Sequence, residues 1–163
     1  MIEVDLREFL VNGALGPLRH GLQIDQVSAY CGQPDDRSVS RKAPIWKYGC
    51  LELAFRRDRK DHRHSLDFIG LYFREKTFHL PDQFKLTGWW PSPGIAIDAF
   101  QENLRDLGVS FSVDHKLSSE CHTMLSVGIG VSAYFVFENG SPKVLDSMQY
   151  SAREDAINSA TSN

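Results

Sequence analysis

Four carboxylates in predicted strands are the side chains best suited to acid–base chemistry, namely Glu52, Asp67, Glu138 and Asp146. Asp67 and Asp146 occupy matching places, because each follows a leucine near the start of a strand-like segment. General acid–base catalysis would require them in one cleft with shifted pKa values. On a half-exposed sheet such residues more commonly form the polar face. A third interpretation is an acidic patch that complements a basic surface on a partner protein.

Histidines and cysteines give no assembled metal or nucleophile site in the sequence. His62 and His64 lie in a charged segment, and Cys121 directly precedes His122 in a polar loop. A metal site needs three or four convergent ligands, and neither group has a second ligand pair nearby. Adjacent residues in an extended loop point apart, so Cys121 and His122 do not form a catalytic dyad by proximity. The sequence therefore predicts no catalytic residue and no metal site.

A glycine-rich segment at residues 128–133 resembles half of a dinucleotide-binding fingerprint. That fingerprint requires a helix after the glycines, so that phosphates meet a helix N-terminus. Here Tyr134 to Phe137 continue as a strand, which favours a turn or bulge instead. We therefore expect no cofactor.

Aromatic side chains offer either core packing or a binding face. Trp89 and Trp90 lie in a proline-containing connector, and Tyr72, Tyr134 and Tyr150 lie in predicted strands. Tyrosine and tryptophan are enriched in interface hot spots, although they are also common in cores. The predicted partner-binding set combines these aromatics with three carboxylates: Glu52, Asp67, Tyr72, Trp89, Trp90, Tyr134, Asp146 and Tyr150.

Composition limits the classes of partner. The 163 residues carry a formal charge of −3 from 18 basic and 21 acidic side chains, so we expect neither nucleic-acid nor membrane binding. The basic run at residues 56–64 contains two aspartates and no aromatic residue, which indicates a solvated hairpin tip. Charges interrupt the N-terminal segment, and three scattered cysteines form no disulfide pattern. These features predict a cytoplasmic protein without a signal peptide.

Hydrophobic periodicity predicts helices and strands in a regular order. Helices are expected at residues 4–12, 24–31 and 95–107. Strands are expected at residues 45–48, 50–56, 65–74, 109–113, 124–129, 131–138 and 143–150, with a turn at Asn139-Gly140. Phe84, Leu86 and Trp89 suggest a further short strand in the connector. Short connections favour antiparallel pairing. The predicted fold class is α+β, in which a mostly antiparallel sheet carries helices on one face.

The strand at residues 65–74 is apolar on both sides. Strict alternation places Leu66, Phe68 and Tyr72 on one face, and Ile69, Leu71 and Phe73 on the other. Such a strand is normally central and covered on both faces. Helices are expected to form one cover, and a partner the other.

A sequence repeat suggests two related units that build one sheet. Gly21 to Val27 open one helix, and the similar segment from Gly94 to Phe100 opens another. The predicted organisation is a first helix-plus-sheet unit at 1–80, a connector at 81–93, a second unit at 94–150 and a polar tail at 151–163, all within one compact domain.

The motifs of the first unit resemble a known fold. Gly21-Leu22 with Val27, then Gly32-Gln33-Pro34-Asp35 and Trp46-Lys47-Tyr48-Gly49, resemble the SmpA/OmlA type of outer-membrane assembly lipoproteins. They are also similar to the repeat unit of the β-lactamase inhibitory protein family. That resemblance implies helices paired with four-stranded sheets, and two tandem units whose shared concave face grips a partner enzyme.

Departures from these families limit what the resemblance implies. The second unit has Leu107-Gly108-Val109-Ser110 in place of the glycine–proline turn. The lipoproteins carry a lipidated cysteine near the N-terminus, which this chain lacks, and its cysteines do not match the inhibitor's disulfides. The fold is therefore expected to carry over, whereas the lipoprotein role and the β-lactamase target are not.

The expected function is non-enzymatic protein binding, as an inhibitor or immunity-type protein that neutralises a toxin or enzyme through its sheet face. Two alternatives stay open. One is a small hydrolase or ligand-binding enzyme that uses carboxylates and histidines in the sheet concavity. The other is a structural subunit that self-associates, for example as a homodimer.

Overall fold

A computed structural model describes residues 1–38, 40, 42–137 and 143–152 of the chain. The helices in this part are α1 (Leu6–Asn12), α2 (Ile24–Cys31) and α3 (Ile97–Asp106). The strands are β1 (Ile2–Asp5), β2 (Asp36–Arg37), β3 (Ile45–Tyr48), β4 (Leu51–Arg57), β5 (His64–Tyr72), β6 (Phe84–Thr87), β7 (Phe111–Val113), β8 (His122–Val127), β9 (Val131–Val136) and β10 (Val144–Ser151). Glu138, the turn predicted at Asn139-Gly140 and most of the predicted tail lie outside the described residues.

Eight strands form one antiparallel sheet in the order β2-β3-β4-β5-β10-β9-β8-β7. The central pair, β5 and β10, joins four strands from the first half of the chain to four from the second. A separate two-stranded parallel sheet pairs β1 with β6. The predicted α+β class with a mostly antiparallel sheet is confirmed. None of the helices in the described ranges is long and apolar enough to cross a membrane.

All three helices contact the same face of the large sheet. The ring of Phe100 in α3 lies 5.3 Å from that of Phe135 in β9. The carbonyl of Gly32, the residue after α2, accepts a hydrogen bond from the hydroxyl of Tyr48 in β3 at 3.1 Å. The ring of Tyr150 in β10 packs against the end of α1. The main hydrophobic core therefore lies between the helices and this face of the sheet.

The predicted faces of β5 are wrong at Leu66, and a β-bulge explains the difference. Two successive residues of β4 pair with Leu66 and Phe68, which leaves Asp67 as the extra residue. One extra residue shifts the alternation by one position. Leu66 consequently lies with Ile69 on the helix-covered face, whereas Phe68 and Tyr72 lie on the other.

A second bulge occupies the equivalent place in β10. Two successive residues of β9 pair with Leu145 and Ser147, so Asp146 is the extra residue there. Asp67 and Asp146 are therefore both bulge residues of the central strands, and each directly follows a buried leucine. A bulge changes the direction of a side chain and interrupts the local strand pairing, so Asp67 and Asp146 depart from the regular alternation of their strands.

The N-terminal segment differs from the single helix predicted at residues 4–12. Residues 2–5 form β1, and the helix begins only after Asp5, whose side chain caps it by accepting from the Arg7 amide at 2.8 Å. Val4 pairs with Leu86 of β6, inside the predicted connector. That pairing joins segments far apart in sequence, so the local pattern does not reveal it.

The segments that enter α2 and α3 have the same backbone geometry. Gly21 and Gly94 have φ values of 84° and 80°. The residue before each helix forms an isolated antiparallel bridge with the last strand of the following set, Gln23 to Ser65 in one half and Ala96 to Val144 in the other.

Candidate functional site

The sheet face opposite the helices is termed the open face. In the two-residue alternation of the central strands, it carries aromatic, serine and amide side chains. The positions on this face are Phe68, Gly70 and Tyr72 of β5, Ser147, Gln149 and Ser151 of β10, and Ser132 and Tyr134 of β9. Glu52 of β4 lies on the same face, because it pairs directly with Gly70.

A row of hydroxyl-bearing residues crosses the centre of the open face. Ser147 of β10 pairs with Tyr72 on one side and with Tyr134 on the other. Both tyrosines are half-buried, and Ser147 is buried between its neighbours. Directly opposed residues on a sheet have Cβ atoms about 4.5–5.5 Å apart, so the three side chains are neighbours in one continuous row.

Gly70 allows two aromatic rings to close over the middle of β5. A Cβ atom at this position would lie 2.9 Å from Cε1 of Phe68 and 3.1 Å from Cε2 of Tyr72. Both distances are shorter than ordinary carbon contacts of about 3.5–4.0 Å. The two rings therefore pack over the glycine backbone and form an aromatic surface beside the serine.

A chain of polar contacts compensates the carboxylates at the Tyr72 end of the open face. Arg74 donates from both Nε and Nη2 to the Asp146 carboxylate, with the Nη2–Oδ2 distance 2.8 Å, and its guanidinium lies 5.8 Å from the Tyr72 ring centroid. The Tyr72 hydroxyl donates to Glu52 at 3.3 Å, and Lys47 Nζ lies 3.7 Å from the same carboxylate. Burial, with a contribution from Glu52, raises the pKa of Tyr72 to about 12. The face is therefore mixed in charge rather than acidic.

The two bulge aspartates lie at different ends of the central strand pair. Asp67 precedes Phe68, whereas Asp146 precedes Ser147, which pairs with Tyr72. Phe68 and Tyr72 are four residues apart, or about 13 Å along a strand. Asp67 lies 3.7 Å from His20, and Asp146 contacts Arg74. Both aspartates in one cleft with a histidine would favour the hydrolase alternative, but this arrangement separates the two aspartates.

Five of the eight predicted partner-binding residues lie on the open face or at its two bulges: Glu52, Asp67, Tyr72, Tyr134 and Asp146. The other three belong to packing elsewhere. The Trp89 ring lies 5.7 Å from Phe100 of α3, and Trp90 Nε1 donates to the Thr87 carbonyl at 3.0 Å. Tyr150 is only 8% exposed and lies on the helix-covered face. Strand alternation alone did not reveal which face the helices cover.

Several open-face residues were missed from sequence. Phe68 is correctly predicted on the same face as Tyr72 but is absent from the predicted partner-binding set, and Gly70 carries no side chain to attract notice. Ser147 and Gln149 look like ordinary polar strand positions. Arg74 is the last residue of the strand predicted at 65–74, which is the one signal that places it near a strand end; in the structure it lies two residues beyond β5.

A second group of chemically active side chains lies away from the open face. The ligand atoms of Cys50, Glu75 and His79 all lie within 4.8 Å of one another. Cys50 is buried in the β3–β4 turn, whereas Glu75 and His79 are exposed on the segment between β5 and β6. The sequence did not reveal this group, because the cysteine and the other two residues come together only in the folded chain.

Comparison with protein-family models, curated proteins and solved structures gives no match for this chain. The likeness to the β-lactamase inhibitory protein family and to the SmpA/OmlA type consequently stays an expectation from sequence motifs.

Replacing Arg74 by alanine is expected to lower the free energy of unfolding by about 1–2 kcal/mol. The Asp146 side chain is 10% exposed and would lose its bidentate, charge-assisted hydrogen bonds from Arg74. Because Arg74 is itself 67% exposed, the loss falls below that of a fully buried pair. Urea denaturation of Arg74→Ala beside Arg59→Ala, an exposed arginine in the β4–β5 hairpin, measures the difference. Equal midpoints for the two variants would contradict the expected role of the pair.

Proposed function

We propose that this protein is a non-enzymatic protein-binding module whose open face docks on a partner protein. The observation that supports this proposal is the Tyr72–Ser147–Tyr134 row at the centre of a broad sheet. The three described helices pack on the opposite face of that sheet. Tyrosine supplies a large and rigid contact area at low conformational cost. Two half-buried tyrosines on either side of the buried Ser147 are therefore suited to protein recognition.

The size of the sheet supports a macromolecular partner. Seven spacings of about 4.8 Å between eight strands give a width of about 34 Å. The central strand β5 has nine residues, or about 30 Å at about 3.3 Å per residue. Even with the shorter outer strands, such a face matches the roughly 800 Å² that one partner contributes to a standard interface.

We further propose that the chain consists of two related units, α2 with β2–β5 and α3 with β7–β10. Three observations support this: the strand order is mirrored about the β5–β10 pair, an aspartate bulge recurs in each central strand, and the same bridge precedes each helix. Tyr72 belongs to the first unit, and Ser147 and Tyr134 belong to the second. The proposed binding centre therefore requires both units.

The inhibitor or immunity role is the most specific form of the proposal. It combines the tandem arrangement with the expected resemblance to an inhibitor family, and it places the protein in the cytoplasm beside the toxin or enzyme that it neutralises. Since Arg74 and Lys47 compensate the nearby carboxylates, the face suits a partner with a polar, hydrogen-bonding surface better than a strongly basic one.

The proposal is tested with the protein products encoded next to this chain. Each is purified and mixed with it, and the mass of any complex is measured by size-exclusion chromatography with light scattering. We expect a stable complex with one of them, and loss of that protein's toxic or enzymatic activity in the complex. If the chain forms a homodimer and binds none of these proteins, the result would support the self-association alternative. If no complex forms with any of them, or in pull-downs from native extract, the proposal is refuted.

A further inference from the structure

We propose that Cys50, Glu75 and His79 form a Zn²⁺ site that clamps the β3–β4 turn to the segment between β5 and β6. The Cys50 Sγ lies 3.9 Å from His79 Nδ1, and the Glu75 carboxylate completes a triangle within 4.8 Å. These three residues lie away from the open face, so the site does not depend on the proposed partner.

The backbone holds two of the three ligands in position. The Cys50 amide donates to the His79 carbonyl at 3.1 Å, and the Tyr72 amide donates to the Cys50 carbonyl at 2.9 Å. The imidazole lies directly over Gly49, where a Cβ atom would approach the ring to 2.3 Å. The ring and the thiol are therefore brought side by side by the fold itself, before any metal binds.

The donor set and its spacing fit zinc. In a tetrahedral site, metal–ligand bonds of about 2.0–2.3 Å place neighbouring ligand atoms about 3.3–3.8 Å apart. The Sγ–Nδ1 distance of 3.9 Å needs only a small contraction, and the Glu75 and His79 side chains are both exposed. A thiolate with an imidazole excludes Mg²⁺ and Ca²⁺, which take oxygen ligands. Three protein ligands leave a fourth position for water.

Binding is balanced by release of one proton. The Cys50 thiol gives up its proton to the buffer as the Zn–S bond forms, while neutral His79 and ionised Glu75 bind through lone pairs. The other cysteine with a neighbouring histidine is a weaker candidate. Within the described residues Cys121 belongs to no three-ligand cluster, and His122 Nδ1 already contacts Ser119 Oγ at 2.8 Å.

The test uses Co²⁺ as a spectroscopic probe on the full chain after chelator treatment. We expect sulfur-to-cobalt charge-transfer absorption and the visible bands of tetrahedral Co²⁺, both displaced by Zn²⁺. Cys50→Ser should abolish the charge-transfer band, and the matched control Cys121→Ser should retain it. His79→Gln and Glu75→Gln should each weaken Zn²⁺ binding by roughly 10–100-fold or more, since even outer-shell partners have effects of that size.

Three outcomes would overturn the site: no charge-transfer band in the unmodified protein at micromolar Co²⁺, a band that survives Cys50→Ser, or a band lost in Cys121→Ser. Circular dichroism shows whether Cys50→Ser folds. Should it not fold, the exposed His79→Gln and Glu75→Gln variants decide, because unchanged Zn²⁺ affinity in both would exclude these ligands.

Discussion

Replacing Gly128 by alanine is expected to lower the free energy of unfolding by about 2–5 kcal/mol. Gly128 has φ of 52°, and a Cβ atom there would lie 2.0 Å from the Leu10 carbonyl oxygen and 3.0 Å from the Val11 Cα. A left-handed conformation costs a non-glycine residue about 1–2 kcal/mol. Displacing the α1 backbone adds about 1–3 kcal/mol of packing strain. The substitution is also expected to weaken the hydrogen bond that the Ile129 amide donates to the Val11 carbonyl.

Gly108 is the matched control, because it shares the backbone conformation without the contact. Its φ is 66°, and nothing lies within 4 Å of an added Cβ. Gly108→Ala should therefore cost only about 1–2 kcal/mol. Chemical denaturation of both variants measures the difference. Equal losses would show that α1 does not pack against the β8–β9 turn as described.

Replacing Phe135 by alanine is expected to cost about 3–5 kcal/mol, the usual range for a buried phenylalanine. Its side chain is fully buried in β9, and its ring meets that of Phe100 at 5.3 Å and 68°. Removing it opens a cavity between α3 and the sheet, and it ends an edge-to-face aromatic contact.

Phe137, two residues later, provides the control for this substitution. It is 49% exposed, so Phe137→Ala should change the free energy of unfolding by no more than about 1 kcal/mol. Urea denaturation followed by far-ultraviolet circular dichroism gives both values. A loss at Phe137 as large as that at Phe135 would contradict the difference in burial between the two side chains.

Local sequence patterns predicted most of the secondary structure. The apolar spacing of Ile97, Phe100 and Leu104 was sufficient for α3, and the strand at 45–48 has the predicted bounds. Features that depend on distant segments were not predictable. The β1–β6 pair joins the two ends of the first half of the chain, and the bulge at Asp67 is set by its register against β4.

The candidate site was predicted only in part for a related reason. Alternation identifies two faces of a strand but does not show which one the helices cover, so Tyr72 and Tyr150 looked equivalent. The structure separates them, because Tyr150 packs against the end of α1 while Tyr72 lies on the open face. The Cys50, Glu75 and His79 cluster was not recognisable from spacing, since a loop closure brings its members together.

The most direct test of the open face as a binding surface is the affinity of the partner complex for three tyrosine variants. Tyr72→Ala and Tyr134→Ala remove the two aromatic side chains of the central row. Tyr30→Ala removes a tyrosine that is 38% exposed on α2, on the other side of the sheet. Calorimetric titration should show about 30-fold weaker binding or more for each open-face variant, as for hot-spot residues of about 2 kcal/mol. Tyr30→Ala should bind within about twofold of the unmodified protein. Unchanged affinity in both open-face variants, or an equal loss in Tyr30→Ala, would contradict the account.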